Sequence, residues 1–209
     1  MNVRVTGGRL GGRRLRAAAS GTRPTADRVR VALFARLGDL DGARVLDLYA
    51  GTGALGIEAL SRGAREVVFI ERASRSLAVL RANLAELGLT TETHILAGDA
   101  VRGVQRLGRE AARFDLALLD PPYAAGEVGR ALEALVAARV LAVGAAVVVE
   151  SGRRHPVPIV EGLARIDERR YGDTLITRLA ATGLAERAGS AATTAGAAGA
   201  AATGGRGSG

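Results

Sequence analysis

The sequence contains no cysteine, so disulfide bridges and thiolate-bound metal sites are excluded. Its two histidines, His94 and His155, are far apart, and we therefore predict no metal site. The longest apolar stretch, residues 140–149, is far shorter than the roughly 20 residues that a membrane-spanning helix needs. The chain begins with arginines and glycines rather than with an apolar signal segment. These absences lead us to expect a soluble, cytoplasmic protein.

Lysine is absent too, and all 29 of the Lys and Arg positions are arginine. Nine of these arginines lie in residues 1–36 with a single acid, Asp27, so this segment carries a surplus of eight positive charges. That surplus equals the formal net charge of the chain, +8, because arginines and acids balance in the remaining residues. A concentrated basic segment beside a neutral body is typical of proteins that bind an anionic polymer, with nucleic acid as the first candidate.

The end of the chain lacks a periodic apolar face. From about Ala180 it consists mostly of alanine, glycine, threonine and serine, which cannot bury enough surface to offset the entropy lost on ordering. We therefore predict a disordered tail over residues 181–209. The rest of the chain divides into a basic N-terminal extension, residues 1–36, and a body, residues 37–180.

Strands and helices alternate through the body. Short apolar runs predict strands at 44–49, 66–71, 93–96, 114–120 and 145–151, followed by an antiparallel pair at 164–172 and 174–180. Helical spacing of apolar residues predicts helices at 53–63, 74–88, 100–108 and 127–139, with Ser74 as the N-cap of the second and Gly88 as its end. Apolar strands separated by helices indicate an α/β fold: a Rossmann-like, doubly wound, mostly parallel sheet with an antiparallel terminal strand.

The basic extension alternates apolar residues and arginines around Gly-Gly pairs, which predicts a short β-hairpin with a basic face. A helix follows over residues 23–36, with Thr25 as its candidate N-cap. We expect the hairpin arginines to contact phosphates, namely Arg9, Arg13, Arg14 and Arg16. Three further arginines could border the catalytic pocket, namely Arg23, Arg28 and Arg30. For Arg28 and Arg30, a role in packing or on the helix surface explains the pattern equally well.

Three glycines after the first strand of the body, Gly51, Gly53 and Gly56, form the G-x-G-x-x-G pattern of dinucleotide-binding turns. Acids surround this loop, however, because the carboxyl ends of parallel strands meet at one rim of the sheet. These acids are Asp47, Glu71, Asp99 and Asp120. A pyrophosphate is disfavoured next to so much negative charge, although Glu71 also suits a dinucleotide by its distance from the loop.

A cationic nucleoside fits this rim better, and S-adenosylmethionine (SAM) carries a sulfonium and an ammonium group. We expect Asp47 to face the ammonium end, directly or through water, and Glu71 to accept the ribose hydroxyls. Asp99 is expected to accept from the adenine amine, while Gly51 and Gly53 let the backbone approach the methionyl part. The predicted cofactor-binding set is completed by Ala50, Gly56 and Ala100.

The motif "DPPY", residues 120–123, follows the fourth strand of the body. Two prolines remove two backbone donors and leave the Asp120 carboxylate and the Pro121 carbonyl as acceptors. Acceptors that hold both hydrogens of an exocyclic base amine would aim its lone pair at a methyl sulfonium. Tyr123 offers a face on which an extruded base can stack. The predicted catalytic set is therefore Asp120, Pro121, Pro122 and Tyr123.

These motifs resemble those of the bacterial family that methylates the exocyclic N2 amine of a guanine in small-subunit (16S) ribosomal RNA, the RsmD-like family. The resemblance covers about residues 3–180 and includes "RVTGGRLGGRRL", "RPTADRVRVALF", "LDLYAGTGALGIEALSRGA", "DPPY" and "YGDTLITRL". It implies a SAM-dependent methyltransferase fold, SAM as cofactor, and a monomer acting on ribosomal RNA in the small subunit or an assembly intermediate. Val31 departs from the family pattern, which usually has an acid there.

Two alternatives stay open at this point. Other amino-methyltransferases with a D/N-P-P-Y motif act on adenine N6 in DNA or RNA, or on a glutamine side chain, by nearly the same mechanism. The basic hairpin argues against a protein substrate, but only the family resemblance separates guanine from adenine. A nucleic-acid-binding protein with a decayed cofactor site is the other alternative, and the intact set of acids and glycines argues against it.

Overall fold

The computed structural model describes residues 3–17, 24–122 and 126–182, with the side chains of residues 24–27 left aside. These residues form an N-terminal hairpin, a helix and an alternating α/β body. The elements are β1 (Val3–Arg4), β2 (Arg14–Leu15), α1 (Pro24–Leu37), β3 (Arg44–Leu48), α2 (Ala54–Ser61), β4 (Glu66–Glu71), α3 (Ser74–Leu87), β5 (Thr93–Ala97), α4 (Ala100–Arg109), β6 (Phe114–Leu119), α5 (Glu127–Ala137), β7 (Leu141–Gly152), β8 (Leu163–Tyr171) and β9 (Thr174–Ala181).

The central sheet has seven strands in the order β5-β4-β3-β6-β7-β9-β8. Strands β3 to β7 are parallel, and β9 lies antiparallel between β7 and β8. The predicted α/β fold is confirmed. Strand β7 begins earlier than predicted, because Phe114 pairs with Leu141 and Leu116 with Ala146, so the extra residues form a bulge at the start of β7. Gly144, with a φ of 76°, lies in this bulge.

Two predicted helix starts are corrected. Helix α3 begins at Ser74, and its N-cap is Ala73, whose carbonyl accepts the first helical bond from the amide of Leu77 at 2.9 Å. Helix α1 begins at Pro24, so Thr25 lies inside the helix instead of capping it. Proline suits a first helical position because no helical bond needs its missing N–H there. The predicted end of α3 at Gly88 is confirmed, with a φ of 70°.

Side chains alternate between the two faces of the sheet, so each face has its own apolar core. On β4, Val67 and Phe69 pack beneath α2 and α3, whereas Val68 and Ile70 pack beneath α4 and α5. The first core also takes in the N-terminal extension through buried side chains, namely Val3, Val5, Leu10, Leu15, Val29, Leu33 and Phe34. Each fully buried side chain of this size contributes about 1.5–3 kcal/mol. The predicted extension therefore packs on the body as part of one core.

The body continues slightly past its predicted end at residue 180. Strand β9 reaches Ala181, and the amide of Thr182 donates to the carbonyl of Gly162 at 2.9 Å. The rest of the predicted disordered tail, residues 183–209, lies outside the described residues. Among the described residues, no helix has the length and apolar character that crossing a membrane requires.

Candidate active site

The glycine loop connects the end of β3 to the start of α2, and its three glycines serve different purposes. Gly51 and Gly53 have φ angles of 56° and 84°, which residues other than glycine adopt only with backbone strain. A Cβ on Gly53 would lie 2.4 Å from Leu80, and a Cβ on Gly56 would lie 2.3 Å from Phe69. These two positions therefore allow α2 to pack closely on its neighbours. A Cβ on Gly51 would meet nothing closer than 3.9 Å, so this glycine faces open space where a ligand can approach.

Asp47 lies under the loop and is only 1% exposed. Its Oδ2 atom accepts a hydrogen bond of 2.9 Å from the amide of Gly56, which braces the first turn of α2. Burial, with a smaller contribution from the nearby Asp120 and Glu71 carboxylates, raises the pKa of Asp47 to about 8 against the lowering effect of the Gly56 amide. The pocket beneath the loop thus holds a buried acid whose ionisation two neighbouring carboxylates oppose.

Glu71 ends β4 and ties the loop to the neighbouring strand. Its Oε2 atom accepts from the amide of Gly51 at 2.7 Å, and its Oε1 atom accepts from the amides of Arg72 and Ala73 at 2.8 and 2.7 Å. One lone pair of Oε2 is left by these three bonds. A ribose hydroxyl can use that lone pair, whereas a second hydroxyl requires the carboxylate to give up a backbone bond.

A cavity of about 180 Å³ opens beside the loop. Asp99 is the N-cap of α4, and its Oδ1 atom accepts from the amide of Arg102 at 3.0 Å, which leaves Oδ2 available to a ligand. The structure brings predicted and unpredicted residues together here, and the lining consists of Tyr49, Ile70, Glu71, Arg72, Gly98, Asp99, Ala100, Asp120, Pro122 and Glu127. Ala50, also predicted, is buried and its amide donates to the carbonyl of Ile70 at 3.1 Å.

Five lining residues were not among the predicted site residues: Tyr49, Ile70, Arg72, Gly98 and Glu127. Two of them, Tyr49 and Glu127, form a pair. The Tyr49 hydroxyl donates to Oε1 of Glu127 at 3.0 Å, and Arg130 holds the other oxygen at 2.5 Å. Burial and the bond to Glu127 raise the pKa of Tyr49. Tyr49 also has a φ of 61°, which is unusual for a residue other than glycine. The two residues are 78 positions apart in the sequence, so no local motif predicts that they pair. The sequence indicates only that Glu127 is an acid in the first turn of a helix, directly after Gly126.

Asp120 follows β6 at the same rim. Leu119 pairs with Val149 in the parallel register of β6 and β7, so the next residues, Asp120 and Glu150, lie side by side. Although Asp120 is accessible from the cavity, the surrounding protein desolvates it and raises its pKa to about 6. Burial and the charge of Asp120 raise the pKa of Glu150 to about 7, against the lowering effect of Arg30. Pro121 is buried, Pro122 is exposed, and Tyr123 lies outside the described residues.

The carboxyl groups at this rim fit SAM as a ligand. Asp47, Glu71 and Asp120 converge around the loop; burial raises the pKa values of Asp47 and Asp120, and repulsion from Asp120 and Glu71 adds to the rise for Asp47. A cation would relieve that repulsion, and the sulfonium and ammonium of SAM supply positive charge without metal coordination. Within the part of the chain that the structure describes, no group of three or more His, Asp or Glu side chains is arranged to hold a metal ion.

The predicted RNA-binding arginines fall into different environments. Arg13, Arg14 and Arg28 are exposed. Arg9 and Arg16 are exposed too, but they pair with acids of the body, Arg9 with Glu92 at 2.5 Å and Arg16 with Glu86 at 3.1 Å. Arg23 lies outside the described residues.

Arg30 is the exception among these arginines, because it is only 6% exposed. Its Nη2 atom donates to the carbonyl of Arg4 at 2.6 Å, and its Nε atom lies 3.6 Å from Oε2 of the buried Glu58. Of the two roles left open for Arg30, at the pocket border or in packing, these contacts favour packing, because the guanidinium holds α1, β1 and α2 together. Its charge still reaches the catalytic rim, since it lowers the pKa of Glu150.

The sheet order and the acid-lined rim beside a glycine loop define the class of protein as the methyltransferases. Comparison with known proteins narrows the class further. The family model described as "Conserved hypothetical protein 95" matches residues 3–180. The chain is 31% identical over 172 residues to "Ribosomal RNA small subunit methyltransferase D" of Haemophilus influenzae, which covers 81% of this chain and 89% of that protein. The chain belongs to this family of methyltransferases.

Two further relatives agree with this membership. The Bacillus subtilis protein YlbH is 35% identical over 175 residues, which covers 82% of this chain and 95% of YlbH. The solved structure of yhhF from Escherichia coli superimposes with a TM-score of 0.77 at 31% sequence identity. That superposition covers 87% of this chain and 99% of yhhF, so the N-terminal extension and the body have counterparts in one solved structure.

Proposed function

We propose that this protein transfers a methyl group from SAM to the exocyclic N2 amine of a guanine in small-subunit (16S) ribosomal RNA. The observation that carries this proposal is the position of Asp120 and its proline turn beside the acid-lined cavity, in a chain of the methyltransferase D family. A row of acceptors next to a site for a methyl sulfonium suits an amine that carries two hydrogens.

SAM bound in the cavity supplies an electrophilic methyl group on a positively charged sulfur. The residues of this chain would bind and orient it: Gly51 offers open backbone, Asp47 can ionise beneath the loop once a cation lies beside it, and Glu71 offers the free lone pair of Oε2 to the ribose. Asp99 offers its Oδ2 atom to the adenine amine while Oδ1 caps α4. These contacts fix the direction from which the amine must approach.

The Asp120 carboxylate and the Pro121 carbonyl then hold the two N–H groups of the base amine. In this geometry the nitrogen lone pair points away from both acceptors and toward the methyl group, which is catalysis by orientation and electrostatics. Tyr123 stacks on the extruded base. The amine nitrogen becomes acidic as it gains the methyl group, so its proton passes to the Asp120 carboxylate and on to water or Glu150.

Six arginines of the extension form the surface that we propose for RNA, namely Arg9, Arg13, Arg14, Arg16, Arg23 and Arg28. Their charges would contact phosphates and position the RNA without reading its sequence. The substrate is the assembled small subunit or an assembly intermediate, and the protein acts on it as a monomer. Because ribosomes are its substrate, we place the protein in the cytoplasm.

The test is methyl transfer from labelled SAM to small ribosomal particles from cells that lack this gene. Digestion of the labelled RNA identifies the product nucleoside. The proposal expects N2-methylguanosine as the only labelled nucleoside. Labelled N6-methyladenosine would favour the adenine alternative, and SAM binding without any methyl transfer would favour a binding protein that has no catalytic activity.

A further inference from the structure

A single buried side chain, Asn83 of α3, joins the basic hairpin to the glycine loop. It is 2% exposed, and its carboxamide bonds to backbone on both sides. Its Oδ1 atom accepts from the amide of Arg16 at 2.8 Å, and its Nδ2 atom donates to the carbonyls of Arg16 and Thr52 at 3.1 and 3.0 Å. Thr52 lies between Gly51 and Gly53, so one carboxamide touches both the hairpin and the cofactor loop.

The hairpin has further attachments to α2, the helix that begins at this loop. The buried Glu58 accepts from the amide and the hydroxyl of Thr6, both at 2.7 Å. The Ser61 hydroxyl accepts from the amide of Leu10 at 2.9 Å and donates to the carbonyl of Gly7. These bonds hold the hairpin on the body, but they reach the side of α2 away from the loop. Among the described contacts of the hairpin, the bonds of Asn83 are the ones that extend to the loop itself.

Both partners of Asn83, Arg16 in the hairpin and Thr52 in the glycine loop, belong to short segments whose backbone loses conformational entropy when a ligand binds. The strands of the hairpin are two residues long, and the loop contains two glycines with positive φ, whose backbone entropy is costly to remove. RNA held by Arg13, Arg14 and Arg16 would order the backbone at Arg16. Through Asn83 the same event would order Thr52, so a ligand that binds the loop afterwards would meet a smaller entropic cost.

We propose that Asn83 is a positioning residue that couples the two sites, so that RNA and SAM each raise the affinity of the protein for the other. This inference rests on the proposed function, because it takes ribosomal RNA as the partner of the hairpin. Coupling of this kind is reciprocal, since linkage requires the same factor in both directions.

The experiment measures the dissociation constant of S-adenosylhomocysteine, which binds without turnover, in the absence and presence of saturating small ribosomal particles from cells that lack this gene. For the parent protein the ratio of the two constants should be about fivefold to a hundredfold. Asn83→Leu removes all three bonds, and Asn83→Asp keeps the acceptor but removes both donations. Both variants should bring the ratio close to one, whatever their melting temperature.

Glu86→Ala is the matched control. Glu86 lies on the same helix as Asn83 and also contacts Arg16. It pairs with the exposed Arg16 side chain rather than with the Arg16 backbone, and it makes no described bond to the loop. This variant should keep the ratio of the parent. Asn83 variants that also keep that ratio would overturn the coupling role, because a side chain that only supports the fold has no reason to change it.

Amide hydrogen exchange on the parent protein gives a second measurement that does not depend on the variants folding. The ribosomal particles alone, without cofactor, should slow exchange at the Gly51 and Gly53 amides, which bond to Glu71 and to the carbonyl of Ala50. Unchanged exchange there would overturn the proposal. A protein that methylates 16S RNA but shows a ratio of one keeps the proposed function and loses the coupling, whereas a protein that neither binds nor methylates RNA loses both.

Discussion

The amide of Gly51 donates a hydrogen bond of 2.7 Å to Oε2 of Glu71, which lies at the end of the neighbouring strand. This bond fixes the cofactor loop to the carboxylate that we assign to the ribose. Glu71 therefore has two tasks, because it shapes the loop through its backbone bonds and offers the remaining lone pair to the ligand. Loss of the carboxylate removes both contributions together.

Glu71→Ala should lower the affinity for SAM about tenfold to a hundredfold, since a hydrogen bond to a charged group is worth ~1.5–3 kcal/mol. Titration calorimetry with SAM measures this directly. Glu66→Ala is the control, because Glu66 lies at the other end of β4 and pairs with Arg44. Parent-like SAM binding by Glu71→Ala, or tight binding of NAD with none of SAM, would refute the cofactor assignment.

Asp47 should make the ligand-free protein less stable as the pH rises. The folded protein keeps a proton on Asp47 up to a pKa of about 8, whereas the ordinary pKa of an exposed aspartate is 3.8. Between these values the folded state binds more protons than the unfolded state, so the free energy of unfolding falls with increasing pH. The destabilisation is absent below pH 3.8 and complete above the folded pKa.

Asp47→Asn cannot ionise and should escape this destabilisation. Its melting temperature relative to the parent should therefore rise between about pH 4 and pH 8, as thermal unfolding without cofactor can measure. The same substitution should weaken SAM binding, because asparagine cannot take on the negative charge that Asp47 acquires when a bound cation lowers its pKa. A difference in melting temperature that does not vary with pH would mean that Asp47 is not the group whose ionisation is penalised.

The rim of acids could be predicted from the sequence because parallel strands end at one edge, and Asp47, Glu71, Asp99 and Asp120 each follow or end an apolar run. The bonds that these acids make to backbone amides could not be predicted, because they depend on loop geometry. The pairing of Tyr49 with Glu127 also depends on the fold, which brings the loop after β3 to the start of α5 without a local motif.

In the N-terminal extension, too, the sequence does not predict which side chains are buried. Arg28 and Arg30 lie on one helix two positions apart and have the same charge, yet Arg28 is exposed and Arg30 is 6% exposed. Sequence predicts the helix but not which of its faces packs on the body, because α1 carries no sharp apolar stripe through its arginines. Arg30 forms an ion pair with the buried Glu58, which belongs to a different helix. No pattern in the sequence predicts that Glu58 is buried or that it pairs with Arg30.

The double variant Arg13→Ala/Arg14→Ala should weaken RNA binding and leave SAM binding unchanged. Removal of each phosphate contact should reduce the slope of log affinity against log salt by roughly 0.7–0.9. Arg9→Ala added to this pair should have a smaller effect, because Arg9 already pairs with Glu92. Filter binding over a range of salt concentrations measures both quantities.

Arg169→Ala/Arg170→Ala provides a control of equal charge change on the exposed edge strand β8. It should leave the salt slope of RNA binding near that of the parent. An unchanged slope in the Arg13/Arg14 variant together with a reduced slope in this control would place the RNA footprint on β8 instead of on the hairpin.

A chain that ends at Thr182 should keep both the melting temperature and the methylation rate of the full chain. The amide of Thr182 still bonds to the carbonyl of Gly162, and the composition of the following residues cannot support a core. Thermal unfolding and a methylation assay on the two proteins test this. A large drop in either quantity would show that the tail contributes to the body or to substrate binding.

Asp120 is the residue on which the proposed mechanism depends, and Tyr123 is proposed to position the base. Asp120→Asn should be milder than Asp120→Ala, because its carbonyl oxygen still accepts a hydrogen bond. Tyr123→Phe should be tolerated and Tyr123→Ala should not, because stacking on an aromatic ring is worth ~1–3 kcal/mol per base. Methylation rates of the four variants, measured side by side, check both rankings.

The most direct test is single-turnover methylation of small ribosomal particles by Asp120→Ala with saturating SAM. The hydrogen bond that this variant removes strengthens toward the transition state, so the rate should fall by orders of magnitude while the affinity for SAM stays close to that of the parent. Methylation by Asp120→Ala at close to the parent rate would contradict the account, and the proline turn would then be a structural feature without a part in the chemistry.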